Sequence, residues 1–224
     1  MKRKGEGAPS DQQSAVWLIA SVLLQYPDER VYSRLDDAAA ALAAVPGTAR
    51  TSLQRLVDWL RTEPATEAAE HHVATFDLTR RCSPYLTYYR YGDTRQRGMA
   101  LLALKQSYRQ AGLEPPTVEL PDYLPAMLEF AALAGDSAGH RLLEGHRAGL
   151  ELLRLSLADA GSPYAAALDA VCAGLSRISD RVAADVRRLA EDGPPKEEVG
   201  LDPVGSQPFA PPEFMTGSGL GTVP

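Results

Sequence analysis

Apolar residues recur along most of the chain at steps of three and four, which is the spacing of an amphipathic α-helix. The most regular example lies between residues 162 and 192 and comprises Leu168, Val171, Leu175, Ile178 and Val182. Long runs lack the alternation of apolar and polar residues that a half-buried β-strand requires. The pattern therefore predicts an all-α protein.

Capping residues, glycine and proline divide this pattern into helices joined by short connections. The predicted helices cover about residues 10–26, 27–45, 48–60, 64–76, 93–111, 122–134, 137–157 and 162–192. Ser10 or Asp11 is expected to cap the first helix, and Asp28 to open the second. Asp122 is expected to cap the helix that follows it, and loss of such a cap costs about 1 kcal/mol.

The two ends of the chain depart from the helical pattern. Residues 1–9 are charged and contain glycine, and residues 193–224 hold seven prolines and six glycines but few aliphatic residues. Such segments cannot bury enough apolar surface to become ordered. We therefore expect one helical domain over residues 10–192, a single-domain bundle flanked by a disordered N-terminus and a disordered C-terminal tail.

Positive charge and tyrosine concentrate in the middle of the chain. Between Arg80 and Arg109, seven basic residues oppose the single acid Asp93, which gives a net charge of +6 in a chain whose overall charge is −6. Ser83-Pro84 and several tyrosines without helical spacing fall between Arg80 and Gly92. We predict that this segment is a long ordered loop or a broken helix.

The sequence lacks the motifs that are typical of catalysis. It contains no Gly-x-Ser-x-Gly turn, no phosphate-binding glycine loop and no dinucleotide fingerprint. The arginines and tyrosines of the middle segment suit nucleic acid, because arginine neutralises phosphate and tyrosine stacks on bases. The large negative charge of the remaining chain opposes that interpretation. We expect neither an enzyme nor a nucleic-acid-binding protein.

One predicted helix carries a group of metal-ligand residue types, namely Glu67, Glu70, His71 and His72. A di-iron carboxylate bundle needs such a group on two facing helices, but the other histidines are limited to His140 and His146. Cys82 and Cys172 have no CxxC partner and are too few for a cysteine-based metal site. We therefore predict a solvated helix face and no metal site.

The first residues imitate a secretory signal, since Lys2-Arg-Lys4 precedes an apolar run. Ser14 and Ser21 interrupt that run, and no small-residue cleavage site follows it. The run is about ten residues long, well short of a membrane span. Together with the two reduced thiols, these features predict a cytoplasmic protein that does not insert into a membrane.

Five short motifs stand out, at residues 23–29 (LLQYPDE), 85–89 (YLTYY), 92–98 (GDTRQRG), 119–125 (ELPDYLP) and 128–130 (LEF). Taken together, and in this order, they resemble the NarJ-type family, the delta-subunit assembly chaperones of respiratory nitrate reductase. The resemblance covers roughly residues 14–190. In the broader superfamily that this family resembles, the segment equivalent to residues 119–125 often reads Glu-Pro-Asp-His. This chain has Tyr123 in the place of the histidine, which argues against proton transfer or metal binding there.

The resemblance implies a chaperone that binds the N-terminal peptide of the catalytic (alpha) subunit of a respiratory nitrate reductase. Binding would keep the apo-enzyme open for molybdenum cofactor and iron–sulfur cluster insertion, and would delay docking to the membrane subunit. The chaperone itself would hold no cofactor. Two alternatives remain: a helical interaction module for another molybdenum enzyme, and an anion-binding protein that contacts the cofactor's phosphates through the arginines.

The candidate peptide-binding residues lie in the middle segment. The expected apolar and stacking contacts are Tyr85, Leu86, Tyr88 and Tyr89. The expected charged rim consists of Arg95 and Arg97, and the supporting corner consists of Glu119, Asp122, Leu124 and Glu129. A purely structural alternative is that the arginines pair with Glu119, Asp122 and Glu129 and so pin the loop to a helix start.

Overall fold

The computed structural model describes residues 10–134 and 137–195, so the segments predicted to be disordered lie outside these ranges, apart from residues 193–195. Within them the chain forms eleven α-helices and no strand, which confirms the all-α prediction. The helices are α1 (Asp11–Leu23), α2 (Glu29–Ala41), α3 (Gly47–Thr62), α4 (Ala65–His72), α5 (Leu86–Tyr91), α6 (Arg95–Gln110), α7 (Leu124–Leu133), α8 (Ser137–Gly145), α9 (Arg147–Asp159), α10 (Ala165–Ala173) and α11 (Asp180–Asp192).

The helix starts of the N-terminal half follow the expected capping chemistry. The Ser10 hydroxyl accepts the Gln13 N–H at 3.2 Å. The Asp28 carboxylate accepts the N–H of Arg30 at 2.9 Å and that of Val31 at 3.2 Å. These bonds satisfy backbone donors that the first turn of a helix leaves free. Of the two residues predicted to cap the first helix, Ser10 is the cap, and Asp28, which was predicted to open the second helix, caps it.

One hydrophobic core joins the described helices. α1 packs against α7 and α10, and α10 packs against α3. The fully buried side chains at these contacts include Trp17, Leu23, Met127 and Leu168. Burial of each such side chain contributes roughly 1.5–3 kcal/mol relative to exposure. Because the buried residues form one continuous cluster, the described helices make a single-domain bundle.

Two of the predicted helices are broken. The helix predicted over 137–157 is divided at His146 into α8 and α9, and the helix predicted over 162–192 is divided into α10 and α11. The first break lets α9 approach α5 closely, since a Cβ added at Gly149 would lie 3.0 Å from the Tyr89 ring. At the second break Ser179 caps a new helix, because its hydroxyl accepts the Val182 N–H at 3.3 Å.

The segment between Arg80 and Gly92 adopts the broken-helix form of the two predicted alternatives. A 3₁₀ turn at Arg80–Cys82 precedes the short helix α5. Gly92 ends α5 with a φ of +57°, a left-handed conformation that glycine adopts without a Cβ clash. α5 contacts both α6 and α9.

Candidate functional site

α5 separates two regions of different chemistry. We call the first the corner; it consists of Asp122 with Tyr85, Thr87, Arg97 and Glu119. We call the second the cleft; it lies between α5, the junction of α8 and α9, and α11. The corner is built around the buried carboxylate of Asp122 and the groups that pair with it, whereas the cleft is open to solvent.

Two backbone hydrogen bonds join the start of α5 to the start of α7. The Leu86 N–H donates to the Asp122 carbonyl at 3.0 Å, and the Leu124 N–H donates to the Pro84 carbonyl at 2.8 Å. They pair Tyr85 with Tyr123 as an isolated antiparallel bridge. The two sequence motifs that contain these residues therefore meet in space.

The prediction that Asp122 caps α7 is wrong. The residue at the capping position is Tyr123, and no side-chain hydrogen bond caps that helix. The Asp122 carboxylate instead accepts the Thr87 N–H at 3.2 Å and the Thr87 hydroxyl. Because Thr87 is the second residue of α5, Asp122 caps a helix 35 residues away in sequence.

Arg97 completes the corner. Its Nη2 lies 3.5 Å from the buried Asp122 carboxylate, and its Nη1 lies 3.2 Å from the exposed Asp93 carboxylate. The guanidinium also lies over the rings of Tyr85 and Tyr88, 6.0 and 5.8 Å from their centroids. The structural alternative is therefore correct for Arg97 and Asp122.

Tyr85 and Glu119 form the solvent-facing edge of the corner. The Tyr85 hydroxyl donates to the Glu119 carboxylate at 2.9 Å. Burial, with a further contribution from Glu119, raises the pKa of Tyr85 to about 12. The phenol therefore stays neutral at physiological pH and remains a hydrogen-bond donor.

The ten candidate residues occupy three kinds of position. Asp122, Leu86, Tyr89 and Leu124 are buried, Tyr85, Tyr88 and Arg97 are partly exposed, and Arg95, Glu119 and Glu129 are exposed. Eight of the ten lie on α5, at the corner or beside it. Arg95 begins α6, and Glu129 lines a separate cavity of about 280 Å³ beside α1 and α2.

The cleft has a volume of about 500 Å³. Its apolar floor consists of Leu86, Tyr89, Val182 and Leu189, and the exposed arginines along it are Arg90, Arg181 and Arg188. Within the described ranges, none of these three arginines has a carboxylate within ion-pair distance. The cleft thus offers apolar surface next to unpaired positive charge.

The α8–α9 junction forms the back of the cleft. Burial is the main cause that lowers the pKa of His146, and the nearby charge of Arg90 lowers it further. His146 is consequently neutral at physiological pH. Arg147 is buried and its Nη1 pairs with Glu151 at 3.1 Å. Burial alone would raise the pKa of Glu151, but hydrogen bonds and charge from Arg154 and Arg147 hold it below its usual value.

Of the residues predicted from sequence, Leu86 and Tyr89 line the cleft, whereas the prediction named no residue of α11. The arginines of the cleft at positions 181 and 188 lie about 100 residues from α5 in sequence, so their proximity to α5 depends on tertiary packing. The sequence did contain a signal for the start of α11. Ser179-Asp180 is a capping residue followed by an acid in the first turn.

The histidines considered as metal ligands have other partners. His71 Nε2 lies 2.9 Å from the Ser162 hydroxyl, and the ring packs against Trp59 and Tyr164. His72 is buried, which lowers its pKa. In the described part of the chain no group of three or more His, Cys, Asp or Glu side chains is arranged to hold a metal ion.

None of the described helices has the length and apolar character needed to cross a membrane.

The family model described as nitrate reductase delta subunit matches residues 42–170. The chain is 38% identical over 164 residues to the protein named NarJ in Bacillus subtilis, a match that covers 72% of this chain and 88% of that protein. It is 31% identical over 184 residues to the nitrate reductase molybdenum cofactor assembly chaperone NarJ of Escherichia coli, covering 80% of this chain and 78% of that one.

A third relative is longer. The chain is 45% identical over 162 residues to the nitrate reductase-like protein NarX of Mycobacterium tuberculosis, and it spans 24% of that protein's length. Among solved structures, a redox enzyme maturation protein from Archaeoglobus fulgidus superposes with a TM-score of 0.55 at 20% identity, covering 76% of this chain and 98% of that one. That likeness shows the fold.

The NarJ relatives are named as chaperones and not as enzymes, in agreement with the expectation from sequence. The chain belongs to the nitrate reductase delta subunit family.

Proposed function

We propose that the chain is an assembly chaperone of a respiratory nitrate reductase, and that it binds an N-terminal peptide of the catalytic subunit in the cleft. Binding holds the apo-enzyme competent for molybdenum cofactor and iron–sulfur insertion in the cytoplasm, before the enzyme docks to its membrane subunit. The cofactors belong to the client enzyme, and the chaperone holds none. Membership of the family supports the identity of the client enzyme. The chemistry of the cleft supports the proposal that the chain binds a peptide.

The chemistry of the cleft carries the proposal. An amphipathic helix binds in a groove through apolar anchors spaced three and four residues apart. Leu86, Tyr89, Val182 and Leu189 provide the apolar floor for such anchors. The arginines beside the floor attract acidic side chains of the peptide, or the carbonyl groups at its helical C-terminus.

The candidate residues then divide between direct and supporting roles. Leu86 and Tyr89 contact the peptide from the floor of the cleft, and Tyr88 and Arg95 extend the contact surface beside it. Tyr85, Arg97, Glu119, Asp122 and Leu124 support α5, which carries that floor. Glu129 lies at the second cavity and is proposed as a separate surface contact.

A second candidate, binding of the cofactor's phosphates, is favoured by one specific observation. The first turn of α9 lines the same cleft as the three arginines, and free N–H groups at a helix start attract phosphate. Binding of pyrophosphate that weakens steeply with salt would favour this function, whereas peptide binding should depend chiefly on apolar anchors.

The peptide proposal is tested by isothermal titration of the full chain with a synthetic peptide. The peptide covers the first ~20 residues of the catalytic subunit from the same genome, enough for about 30 Å of helix. Arg188→Glu reverses a charge in the cleft, and we expect it to weaken binding about tenfold, or about 1.4 kcal/mol.

Arg187→Glu supplies the matched control. Arg187 is the neighbouring residue on α11, is exposed and does not line the cleft, so its reversal should change the affinity less than about twofold. Equal effects of the two substitutions would rule out the cleft as the site. Absence of binding to the unaltered chain, at low and high salt, would remove the peptide mechanism.

A further inference from the structure

The described chain ends in contact with the turn between α5 and α6. A Cβ added at Gly92 would overlap the Pro195 carbonyl oxygen, so the backbone of Pro195 lies directly against Gly92. Gly193, with a φ of +76°, turns the chain in this direction after α11. The Arg81 guanidinium also donates to the Ala190 carbonyl at 3.4 Å, which ties the end of α11 to the same region.

This contact brings the start of the following segment next to the cleft. Tyr89 and Arg90 precede Gly92 by two or three residues, and Leu189 precedes Gly193 by four. All three of these side chains line the cleft. Because one residue spans up to about 3.6 Å, a few residues after Pro195 are enough to reach it.

Residues 196–202 have the complementary composition. The sequence Lys-Glu-Glu-Val-Gly-Leu-Asp contains three acids and one base, together with Val199 and Leu201. The cleft is lined by four arginines and the acids Glu144 and Asp185. A segment with net negative charge and two aliphatic side chains therefore matches a cleft with net positive charge and an apolar floor.

We propose that residues 197–202 of this chain occupy the cleft, with Glu197 and Glu198 at the arginines and Val199 and Leu201 on the floor. A tethered segment acts at an effective concentration in the millimolar range, so even weak contacts keep it bound. Its role as a competitor of the client peptide rests on the proposed function. The docking of the segment does not.

Docking is tested in the full chain by disulfide trapping between Val199→Cys and a cysteine on α11. The pair with Arg188→Cys places the second thiol in the cleft, and the pair with Arg187→Cys places it at the neighbouring exposed position of α11, which does not line the cleft. The two substitutions remove the same charge and close loops of nearly equal length, so chain entropy favours neither. The native thiols Cys82 and Cys172 are buried, and burial raises their pKa, which keeps them from competing.

We expect an intramolecular disulfide to form on the order of tenfold faster with Arg188→Cys than with Arg187→Cys. Equal rates, or bonds that join two copies of the chain, would overturn the proposal. A peptide titration of Glu198→Lys, with Glu213→Lys as a control in the same tail, then tests competition. Tighter peptide binding by Glu198→Lys alone supports it, and unchanged binding overturns the competitor role. If the disulfide forms selectively with Arg188→Cys but no variant binds the peptide, docking of the segment is supported and the proposed function is contradicted.

Discussion

The two sides of α5 use the same residue types in opposite ways. At the corner, Arg97 is paired with a buried carboxylate, and the side chain of Asp122 is 0% exposed. At the cleft, Arg181 and Arg188 are exposed and without a carboxylate partner in the part of the chain that the structure describes. An arginine paired to a buried acid stabilises the scaffold, whereas an unpaired one is available to a ligand.

The largest test of this contrast is Asp122→Ala. The substitution leaves the Thr87 N–H, the Thr87 hydroxyl and part of the Arg97 charge without their acceptor. Removing one partner from a buried charge pair costs about 3–5 kcal/mol. Since the Arg97 side chain retains 17% of its exposure, we expect a loss of about 2–4 kcal/mol of unfolding free energy in urea denaturation.

Asp93→Ala is the control, because Asp93 is the other carboxylate partner of Arg97. The Asp93 side chain is 81% exposed. We expect a change within about 0.5 kcal/mol. Similar losses of unfolding free energy in the two variants would show that the pair between Arg97 and Asp122 is as accessible to solvent as a surface ion pair. A loss of about 1 kcal/mol for Asp122→Ala would be the value expected of a simple helix cap.

The next prediction concerns the contact between α5 and α9 at the back of the cleft. In Gly149→Ala the new Cβ would lie 3.0–3.1 Å from three atoms of Tyr89, and overpacking of this kind costs typically 1–3 kcal/mol. In Gly145→Ala, at the end of α8, a Cβ meets nothing within 4 Å. That change should be neutral, or stabilising by up to about 1 kcal/mol.

Thermal unfolding of the two glycine variants measures the difference. If Gly149→Ala were as stable as Gly145→Ala, α9 would be able to move away from α5, and the floor of the cleft would be deformable. The position of Tyr89 would then not be fixed by α9.

Tyr89→Phe separates the polar and apolar roles of that residue. The Tyr89 hydroxyl lies 3.0 Å from the Arg81 carbonyl and 2.9 Å from the Ser83 carbonyl, to which it donates. We expect the loss of this hydrogen bond to cost about 1 kcal/mol. Because the ring remains in the floor, peptide affinity should be unchanged. A large fall in affinity without a fall in stability would place the hydroxyl in the binding site.

Tyr88→Phe is the control for that measurement, since no hydrogen bond of the Tyr88 hydroxyl is seen within residues 10–134 and 137–195. Its unfolding free energy in urea should stay within about 0.5 kcal/mol of the unaltered chain. An equal loss of stability in both variants would mean that the hydrogen bonds from the Tyr89 hydroxyl to the carbonyls of Arg81 and Ser83 do not stabilise the fold.

Local sequence chemistry predicted the parts of the fold that depend on neighbours in the chain. Ser10 and Asp28 lie at the predicted helix starts and cap their own helices. The same rule failed at Asp122, because its carboxylate is turned away from its own helix and bonds to Thr87. Capping preferences describe a residue and its next few neighbours, and carry no information about a competing donor elsewhere in the chain.

The candidate site shows a similar limit. Charge and tyrosine content identified the segment around α5, but spacing cannot say which side of a six-residue helix faces solvent. The cleft joins Leu86 to Leu189, and no local pattern relates these positions. Periodicity does assign Val182 and Leu189 to one face of α11, yet the neighbour of that face is decided by the packing of α9, α5 and α11 together.

The smallest predicted effect concerns the exposed edge of the corner. Burial and Glu119 raise the pKa of Tyr85 from 10.0 to about 12. The neutral phenol is therefore favoured by folding, and its contribution to stability is complete below pH 10 and is lost as the pH rises towards 12. In Glu119→Gln the hydrogen bond to an anion is gone, but burial remains the larger cause.

We expect the pKa of Tyr85 in Glu119→Gln to fall below that in the unaltered chain and to stay above 10.0. Phenolate absorbance measures it, with Tyr85→Phe in each background to isolate the signal of this tyrosine. An unchanged pKa would mean that Glu119 is not the partner in solution. A pKa that fell fully to the ordinary value would mean that water reaches Tyr85 freely. The corner would then be as open as the cleft, and burial would no longer explain why Arg97 is held while Arg188 is available.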